Sequence, residues 1–485
     1  MGSEPQQLHV VFFPFLAHGH MIPTLHVAKL FAARGVRATI VTTPLNAPTF
    51  TRAIEKMSDR IEILVRIEVE VFRFPASEAG LPEGCENLDQ AMEPGTFDKF
   101  FKAGEILREQ LEDYMDKNRP HCLVADMFFP WTTDSAAKFN IPRLVFHGTS
   151  LIALCARVLV PQLQPYMNVS SDDELFVIPG LPHEIKVTKS QIPPDLIKEG
   201  DTEFKRRTDR INESEVNSYG VLVNSFYELE PEYADIYWPQ LHRRSWIIGP
   251  VSLFNRSIFE DKGHQTPVDE HGCLKWLNSK RPSSVIYVCF GSTAHFIPSQ
   301  LREIALALEA SGQDFIWVVR NVDGASKTEE WLPDGFEQRT EGKGLIIRGW
   351  APQVQILEHE AIGAFVTHCG WNSTLEGVSA GVPMVTWPIF AEQFYNEKLV
   401  KDVLKIGVPV GAKKWSTKAS EEDVIKHDAI EKSVREVMEG DEAEHRRKKA
   451  KELKELAWKA VQEGGSSYRA LTELINELRS YHVLS

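Results

Sequence analysis

The sequence predicts an α/β fold with two doubly wound parallel sheets, and three observations lead to this prediction. Near-continuous apolar runs, suited to strands that are buried on both faces, occur in both halves of the chain. Segments with apolar residues at helical spacing alternate with these runs, as is typical of doubly wound sheets. A stretch rich in Gly, Pro, Ser and charge separates the two halves, which favours a linker between two domains.

The first half begins with a strand, a turn, a helix and a second strand. Leu8–Phe15 is the apolar run, residues 17–20 form the turn, and Met21–Arg34 has helical spacing. The β-branched strand Val36–Thr43 follows. Two further strands are predicted, His121–Asp126 and Arg143–Phe146. We therefore expect a parallel sheet whose strands end at one common edge.

The second half repeats this order. The pattern predicts strands at Ser284–Gly291, Asp314–Arg320, Ala361–Thr367 and Val382–Trp387, and a helix at Pro298–Ser311 between Pro and Gly signals. Residues 249–284 are linker-like, with a short helix around Cys273–Asn278. The basic run at 445–451 lies within a helical pattern, and we interpret it as one solvated helix face.

Composition excludes several classes of protein. Lys plus Arg total 54 against 68 Asp plus Glu, so the net charge is −14, which argues against a nucleic-acid binder or a partner of anionic membranes. The six cysteines have no zinc-like spacing and are expected to be reduced thiols. No signal peptide or membrane span is apparent, so we expect a cytoplasmic protein.

Several common site motifs are missing from the sequence. There is no G-x-G-x-x-G after the first strand, no P-loop and no G-x-S-x-G. There is also no H-E-x-x-H and no D-x-D, so the sequence predicts no metal site.

The segment 350–393 carries the strongest functional signal. A helix that starts at Ser373 follows a predicted strand, and helix N-termini at the carboxyl edge of parallel strands bind anions such as phosphate. His368 and Asn372 add side-chain donors. The segment contains no Lys or Arg, so backbone dipoles and neutral groups would hold the anion. Two alternatives remain: Ser373 and Glu376 fit a plain capping box, and the tryptophans fit a core.

Over its 44 positions this segment resembles the sugar-nucleotide signature of plant secondary-product UDP-glycosyltransferases, and the similarity extends over essentially the whole chain. The resemblance implies the GT-B fold, with two facing doubly wound domains and a cleft between them. It implies an acceptor-binding domain over residues 1–250, a linker over 251–284 and a UDP-sugar-binding domain over 285–460. The final helix, 461–485, would pack back on the first domain.

The resemblance also assigns donor contacts. Trp350 would stack on uracil with Ala351 and Gln353 beside it, and Glu376 would accept the ribose hydroxyls. The pyrophosphate would be held by His368, Asn372, Ser373 and Ser292. The sugar hydroxyls would be contacted by Trp371, Glu392 and Gln393. The final Gln is similar to glucose-using members, whereas Glu392 replaces the Asp of many members.

A catalytic pair is predicted in the first half. Removal of a proton from an acceptor hydroxyl needs a base, and His20 follows the first strand while Asp126 ends another. From spacing alone, His20 could be a turn residue and Asp126 a helix cap. The resemblance implies instead that His20 is the base and Asp126 orients it. His18 is the alternative base.

The implied reaction is inverting transfer of glucose from UDP-glucose to a small hydrophobic alcohol, such as a flavonoid, another phenolic or a triterpenoid, without a metal or other cofactor. Aromatic and polar residues expected around the acceptor are Phe15, Phe128, Phe129, His147, Thr149 and Phe390. The alternatives are a non-catalytic UDP-sugar binder, a hydrolase, an NAD-dependent oxidoreductase and a transferase that uses another UDP-sugar such as UDP-galactose. We expect a monomer with no nucleic-acid or integral-membrane partner.

Overall fold

The computed structural model describes residues 7–58, 67–91, 95–197, 203–253, 272–292, 294–319 and 331–484. The chain divides into two compact units. Unit 1 comprises Met1–Leu151, Glu199–Gly263 and Lys459–Ser485, and unit 2 comprises Ile152–Lys198 and His264–Trp458. Residues 254–271 of the predicted linker lie outside the described residues. Among the described helices, none is long and apolar enough to cross a membrane.

Unit 1 is built on a seven-stranded parallel sheet with the order β3-β2-β1-β4-β5-β8-β9. Its strands are β1 His9–Phe13, β2 Arg37–Thr42, β3 Ile67–Val71, β4 Cys122–Asp126, β5 Arg143–Phe146, β8 Gly220–Val223 and β9 Ser245–Ile247. Its helices are α1 His18–Ala32, α2 Ala47–Ser58, α3 Ala76–Ala79, α4 Phe97–Ile106, α5 Arg108–Asn118, α6 Thr132–Lys138, α8 Glu203–Val216, α9 Pro231–Tyr237 and the C-terminal α18 Ser466–Leu484. Strand β1 is buried along its whole length, as its apolar run predicts.

Unit 2 contains a six-stranded parallel sheet with the order β12-β11-β10-β13-β14-β15, and a short antiparallel pair. The sheet strands are β10 Val285–Cys289, β11 Asp314–Val319, β12 Gly344–Arg348, β13 Ile362–Thr367, β14 Met384–Thr386 and β15 Gly407–Pro409, and the pair is β6 Phe176–Val177 with β7 Lys186–Val187. Its helices are α7 Leu151–Leu163, which starts at the boundary, α10 Cys273–Leu277, α11 Pro298–Ser311, α12 Phe336–Arg339, α13 Gln353–Glu358, α14 Trp371–Ala380, α15 Gln393–Lys398, α16 His427–Glu439 and α17 Ala443–Val461.

The two parallel sheets confirm the predicted fold class, and the element bounds agree within a few residues. The main difference is the start of α1, which begins at His18 instead of Met21. The backbone N–H groups of His20 and Met21 both donate to the carbonyl of Ala17, at 2.9 Å each, so the predicted turn is the first turn of the helix. The C-terminal helix α18 lies in unit 1, where Ser467 donates to the carbonyl of Gly249.

The strand order determines where sites can form. In unit 1 the order reverses between β1 and β4, and in unit 2 it reverses between β10 and β13. The chain leaves these neighbouring strands toward opposite sides at their carboxyl ends, which opens a crevice where α/β folds bind ligands. In unit 1, His20 follows β1 and Asp126 is the last residue of β4. In unit 2, Ser292 follows β10 and His368 follows β13.

Candidate active site

His20 and Asp126 form a hydrogen-bonded pair at the switch point of unit 1. The distance between His20 Nδ1 and Asp126 Oδ2 is 2.7 Å. Asp126 is fully buried, whereas the His20 side chain is 25% exposed, so the ring can reach a ligand while its partner cannot. The other carboxylate oxygen, Oδ1, accepts the backbone N–H of Phe128 at 3.0 Å. This geometry fixes one ring nitrogen of His20 and directs the other, Nε2, away from Asp126.

Two phenyl rings pack against the imidazole of His20. The centroids of Phe15 and Phe128 each lie 5.5 Å from that of His20, and these two phenyl rings are 4.7 Å apart. Phe15 is buried and Phe128 is half-buried, so Phe128 is the more exposed of the two rings. Phe129 is buried and stacks on Phe13 at 4.3 Å, which makes it a core residue.

A second His–Asp pair lies on the same helix. His18 Nδ1 is 2.8 Å from Asp89 Oδ2, and the His18 side chain is 48% exposed. Residues two apart on a helix point to nearly opposite faces. The two imidazoles therefore face different surroundings, and His18 pairs with Asp89 whereas His20 pairs with Asp126.

His147 and Thr149 follow β5 but differ in their surroundings. The His147 side chain is 1% exposed, and its Nε2 lies 2.5 Å from Glu215 Oε2. Glu215 also accepts hydrogen bonds from Tyr237 and Arg243, at 3.0 Å each. The sequence predicts that His147 lines the acceptor site, but in the structure its side chain is buried in this hydrogen-bonded network around Glu215. The Thr149 hydroxyl is buried without a hydrogen-bond partner, so it is available to a ligand.

In unit 2 the N-terminus of α14 lacks a side-chain cap. Its N-cap residue is Gly370, and Ser373 is the third helical residue instead of the cap. The capping-box alternative is therefore wrong, because Ser373 Oγ accepts from the amide of Gln353 at 3.1 Å. The backbone N–H groups at the start of this helix and its dipole favour a bound anion. Trp371 and Asn372 occupy the first two helical positions, the former buried and the latter half-buried.

His368 precedes this helix and fits between two glycines. A Cβ atom on Gly291 would come within 2.7 Å of the His368 ring, and one on Gly370 within 2.3 Å. Burial lowers the pKa of His368 to about 4, so the ring is neutral near pH 7. Its Nδ1 is buried and has no partner in the protein. A neutral imidazole with an unused nitrogen suits one hydrogen bond to a phosphate. Ser292, half-buried after β10, adds a hydroxyl.

Gln353 connects two predicted donor-binding residues. Its amide nitrogen donates to Glu376 Oε2 at 2.6 Å as well as to Ser373, and its carbonyl oxygen accepts from Tyr287 at 3.3 Å. Desolvation by burial raises the pKa of Glu376 to about 7, while the Gln353 amide opposes this shift. Glu376 is thus held in one orientation as a hydrogen-bond acceptor. Trp350 is 73% exposed, and an exposed indole offers a face for stacking.

The two residues that the resemblance assigns to sugar hydroxyls lie at the start of α15, with Glu392 as the N-cap residue and Gln393 as the first helical residue. Gln393 is buried, and its side-chain oxygen accepts the backbone N–H groups of Ile389 and Phe390 at 2.8 and 3.0 Å. This leaves the Gln393 amide hydrogens as the ligand-directed group. Glu392 Oε1 accepts from Asn396 at 3.2 Å. Phe390 is half-buried, and Ala351 is buried beside Trp350 in sequence.

Within the described residues, no group of three or more His, Cys, Asp or Glu side chains is arranged to hold a metal ion. Two further residues near the site, Arg143 and Glu215, were not predicted from the sequence. Arg143, buried on β5, donates to the carbonyl of Asp126 at 3.0 Å, and Glu215 binds His147. Arg143 could have been noticed in the sequence, because it is a charged residue at the start of an apolar strand. Glu215 could not, because it lies in an ordinary polar helix.

Comparisons with known proteins identify the family. The family described as UDP-glucoronosyl and UDP-glucosyl transferase matches residues 215–443. Scopoletin glucosyltransferase of Nicotiana tabacum is 56% identical over 478 residues and is covered to 98%, as is this chain. The chain belongs to the UDP-glycosyltransferases. UDP-glucose flavonoid 3-O-glucosyltransferase 7 of Fragaria ananassa is 55% identical, with 98% of this chain and 96% of the relative covered.

Solved structures agree with this assignment. Glycyrrhiza uralensis UGT73P12, complexed with glycyrrhetinic acid 3-O-monoglucuronide, superimposes with a TM-score of 0.90 at 43% identity, over 99% of this chain and 97% of that chain. Medicago truncatula UGT71G1, complexed with UDP-glucose, gives a TM-score of 0.77 at 26% identity, over 98% and 99% of the two chains. These matches confirm the predicted family, the GT-B fold and the assignment of this UDP-glycosyltransferase as an enzyme.

Proposed function

We propose that this UDP-glycosyltransferase moves glucose from UDP-glucose to a hydroxyl of a small hydrophobic acceptor, with inversion at the anomeric carbon, to give a β-O-glucoside. The observation that carries this proposal is the pair of His20 and Asp126, 2.7 Å apart at the switch point of unit 1. Relatives named for scopoletin, flavonoid and anthocyanin glucosylation support a phenolic acceptor, and the triterpenoid-bound structure supports a bulkier one.

His20 acts as the general base in this mechanism. Nε2 takes the proton from the acceptor hydroxyl as that oxygen attacks C1 of the glucose, and the bond from C1 to the β-phosphate oxygen breaks. Asp126 keeps the proton on Nδ1 before the reaction, so the lone pair of Nε2 accepts the proton of the hydroxyl. The carboxylate of Asp126 then stabilises the imidazolium that forms. The full burial of Asp126 strengthens this interaction because little water screens it.

UDP leaves onto unit 2 without a cationic side chain in the proposed site. The segment 350–393 contains no Lys or Arg, so the N–H groups at the start of α14, His368 and Ser292 carry the developing charge. Fixed dipoles of this kind can stabilise a leaving group by several kcal/mol, on the order of 3 kcal/mol per well-placed donor. We propose that no metal or other cofactor takes part. EDTA should then leave the rate unchanged, and a large loss would contradict this part of the proposal.

Glucose is the proposed sugar because the side-chain oxygen of Gln393 is already bonded to the backbone, so its amide would donate to one sugar hydroxyl while the Glu392 carboxylate would accept from the next. A site that hydrogen-bonds a hydroxyl discriminates against an epimer, whose hydroxyl leaves those groups unpaired. UDP-galactose is the alternative donor. The comparison of kcat/KM for UDP-glucose, UDP-galactose and UDP-glucuronate measures this choice directly.

The test of the proposal is UDP release from UDP-glucose in the presence of scopoletin, a flavonol and a triterpenoid alcohol. We expect release only when an acceptor is present, and release with UDP-glucose alone would indicate a hydrolase. His20→Ala should abolish transfer while UDP-glucose binding, measured by calorimetry, stays within about twofold, since His20 lies outside the donor-binding unit. Transfer by the His20→Ala variant would overturn the assignment of the base.

We further propose that the enzyme works in the cytoplasm as a monomer, with small molecules as its only partners. The net charge of −14 supports the absence of nucleic-acid and anionic-membrane partners. Light scattering after size exclusion should give a mass near 54.9 kDa. A fluorescent fusion should distribute through the cytosol.

A further inference from the structure

The segment Ile389–Gln393 contains a strained residue. Ala391 has a φ of +52°, in the left-handed region that side chains other than glycine rarely adopt. This conformation costs an alanine on the order of 1–2 kcal/mol and persists only where surrounding contacts hold it. Ala391 directly precedes Glu392 and Gln393, so its backbone conformation sets the direction in which both side chains leave the chain.

Trp415 makes the hydrogen bond to this residue. Its indole N–H donates to the carbonyl of Ala391 at 2.9 Å, and the backbone N–H of the next residue, Ser416, donates to the carbonyl of Ile389 at 2.9 Å. Within the same segment, the side-chain oxygen of Gln393 accepts the backbone N–H groups of Ile389 and Phe390. Of these bonds, the one from the indole is made with the strained residue itself.

Trp415 is in turn fixed through its own backbone. It lies in residues 411–416, which form neither helix nor strand, and its backbone N–H donates to the carbonyl of Ser190 at 2.8 Å. The side chain is half-buried. The indole thus reaches Ala391 from a separate part of unit 2 that is anchored independently of α15.

We propose that Trp415 is a positioning residue for sugar recognition, because its indole N–H holds Ala391 in the conformation that places Glu392 and Gln393. The proposal rests on the proposed function, in which these two side chains contact the sugar hydroxyls. It predicts that Trp415 affects binding of the hexose and leaves binding of the UDP portion unchanged.

The first test is Trp415→Phe, which retains an aromatic ring and removes the N–H donor. We expect kcat/KM for UDP-glucose to fall by about tenfold, the factor that corresponds to about 1.4 kcal/mol for a lost buried hydrogen bond. The inhibition constant of UDP should stay within about twofold, and the preference for UDP-glucose over UDP-galactose should fall. The matched control is Trp276→Phe on α10, where a half-buried tryptophan packs against Lys280 instead.

The second test is rescue by glycine. Ala391→Gly removes the strain of a positive φ, so the segment depends less on the indole bond. In the Trp415→Phe background, Ala391→Gly should restore kcat/KM for UDP-glucose by about threefold or more. If Trp415 had only a structural role, glycine at residue 391 would not restore activity to the Trp415→Phe variant. The absence of any rescue would therefore overturn the proposal.

The remaining outcomes separate this proposal from the proposed function. If Trp415→Phe weakens UDP and UDP-glucose equally, or changes neither, the positioning role is wrong. If Gln393→Ala leaves the discrimination between UDP-glucose and UDP-galactose unchanged, the assignment of the sugar contacts fails and Trp415 loses its proposed role with it. Thermal unfolding of each variant shows whether a loss of activity reflects a loss of folded protein.

Discussion

Replacing Asp126 by Asn isolates the contribution of the buried carboxylate. Asn has nearly the same shape, and its oxygen can still accept the backbone N–H of Phe128, so the end of β4 should stay in place. Its amide group, however, would donate to His20 Nδ1. The ring would then carry its proton on Nε2, where it cannot accept one from a hydroxyl.

The distance between the two groups sets the size of the effect. Opposite unit charges 2.7 Å apart attract by about 6 kcal/mol at an effective dielectric constant of about 20. That energy corresponds to about four powers of ten in rate, and the charge on His20 is only partly developed in the transition state. We therefore expect kcat to fall by about 10³- to 10⁴-fold, with both the tautomer and the charge contributing.

The assay is UDP release at saturating UDP-glucose with one good phenolic acceptor, accompanied by UDP-glucose binding and thermal unfolding. Binding should be unchanged, since Asp126 lies in unit 1. The matched control is Asp89→Asn, the same substitution in the other His–Asp pair, which bonds His18 at 2.8 Å. We expect that control to retain activity within about threefold. The proposed role of Asp126 is wrong if Asp126→Asn keeps more than a tenth of the activity, or if Asp89→Asn loses as much activity as Asp126→Asn.

Three other predictions follow from the geometry. Gly370→Ala places a methyl group within 2.3 Å of the His368 ring, so the ring must move and the KM for UDP-glucose should rise by about tenfold, as steady-state kinetics would show. The pKa of Glu376 is raised to about 7, so its neutral form favours folding below about pH 4.5 and this contribution is lost as pH rises through 7. In the proposed donor site the Glu376 carboxylate accepts the ribose hydroxyls, so UDP-glucose binding should tighten by about tenfold from pH 6 to 8. Calorimetry on Glu376→Gln should show no such change. Glu215→Ala leaves buried charge unpaired and should lower the free energy of unfolding, measured with urea, by about 3 kcal/mol. Arg206→Ala, which removes one partner of an exposed ion pair, should lower it by less than about 1 kcal/mol.

Helix ends were predicted reliably from the sequence where a residue such as proline or glycine has one strong backbone preference. Pro298 and Gly312 bound a helix that the structure places at Pro298–Ser311, and Gly312 adopts a φ of +69°. Prediction was weaker at the start of α1, because no Ser, Asp or Asn marks the N-cap and residue 17 is alanine. At Ser373 the S-x-x-E spacing fits a cap, yet the helix starts two residues earlier and both side chains contact Gln353.

The two parallel sheets, the helices between them and the family could be predicted from the sequence, because hydrophobic periodicity and a 44-residue signature are properties of consecutive residues. It also named His20 and Asp126. Their contact joins residues 106 positions apart. It depends on the tertiary structure, since β1 and β4 become neighbours only through the pairing of strands that are distant in sequence. The same holds for the buried partner of His147 and for the bond from Trp415 to Ala391. Such contacts join residues that are distant in sequence, and local preferences carry no information about which of them meet.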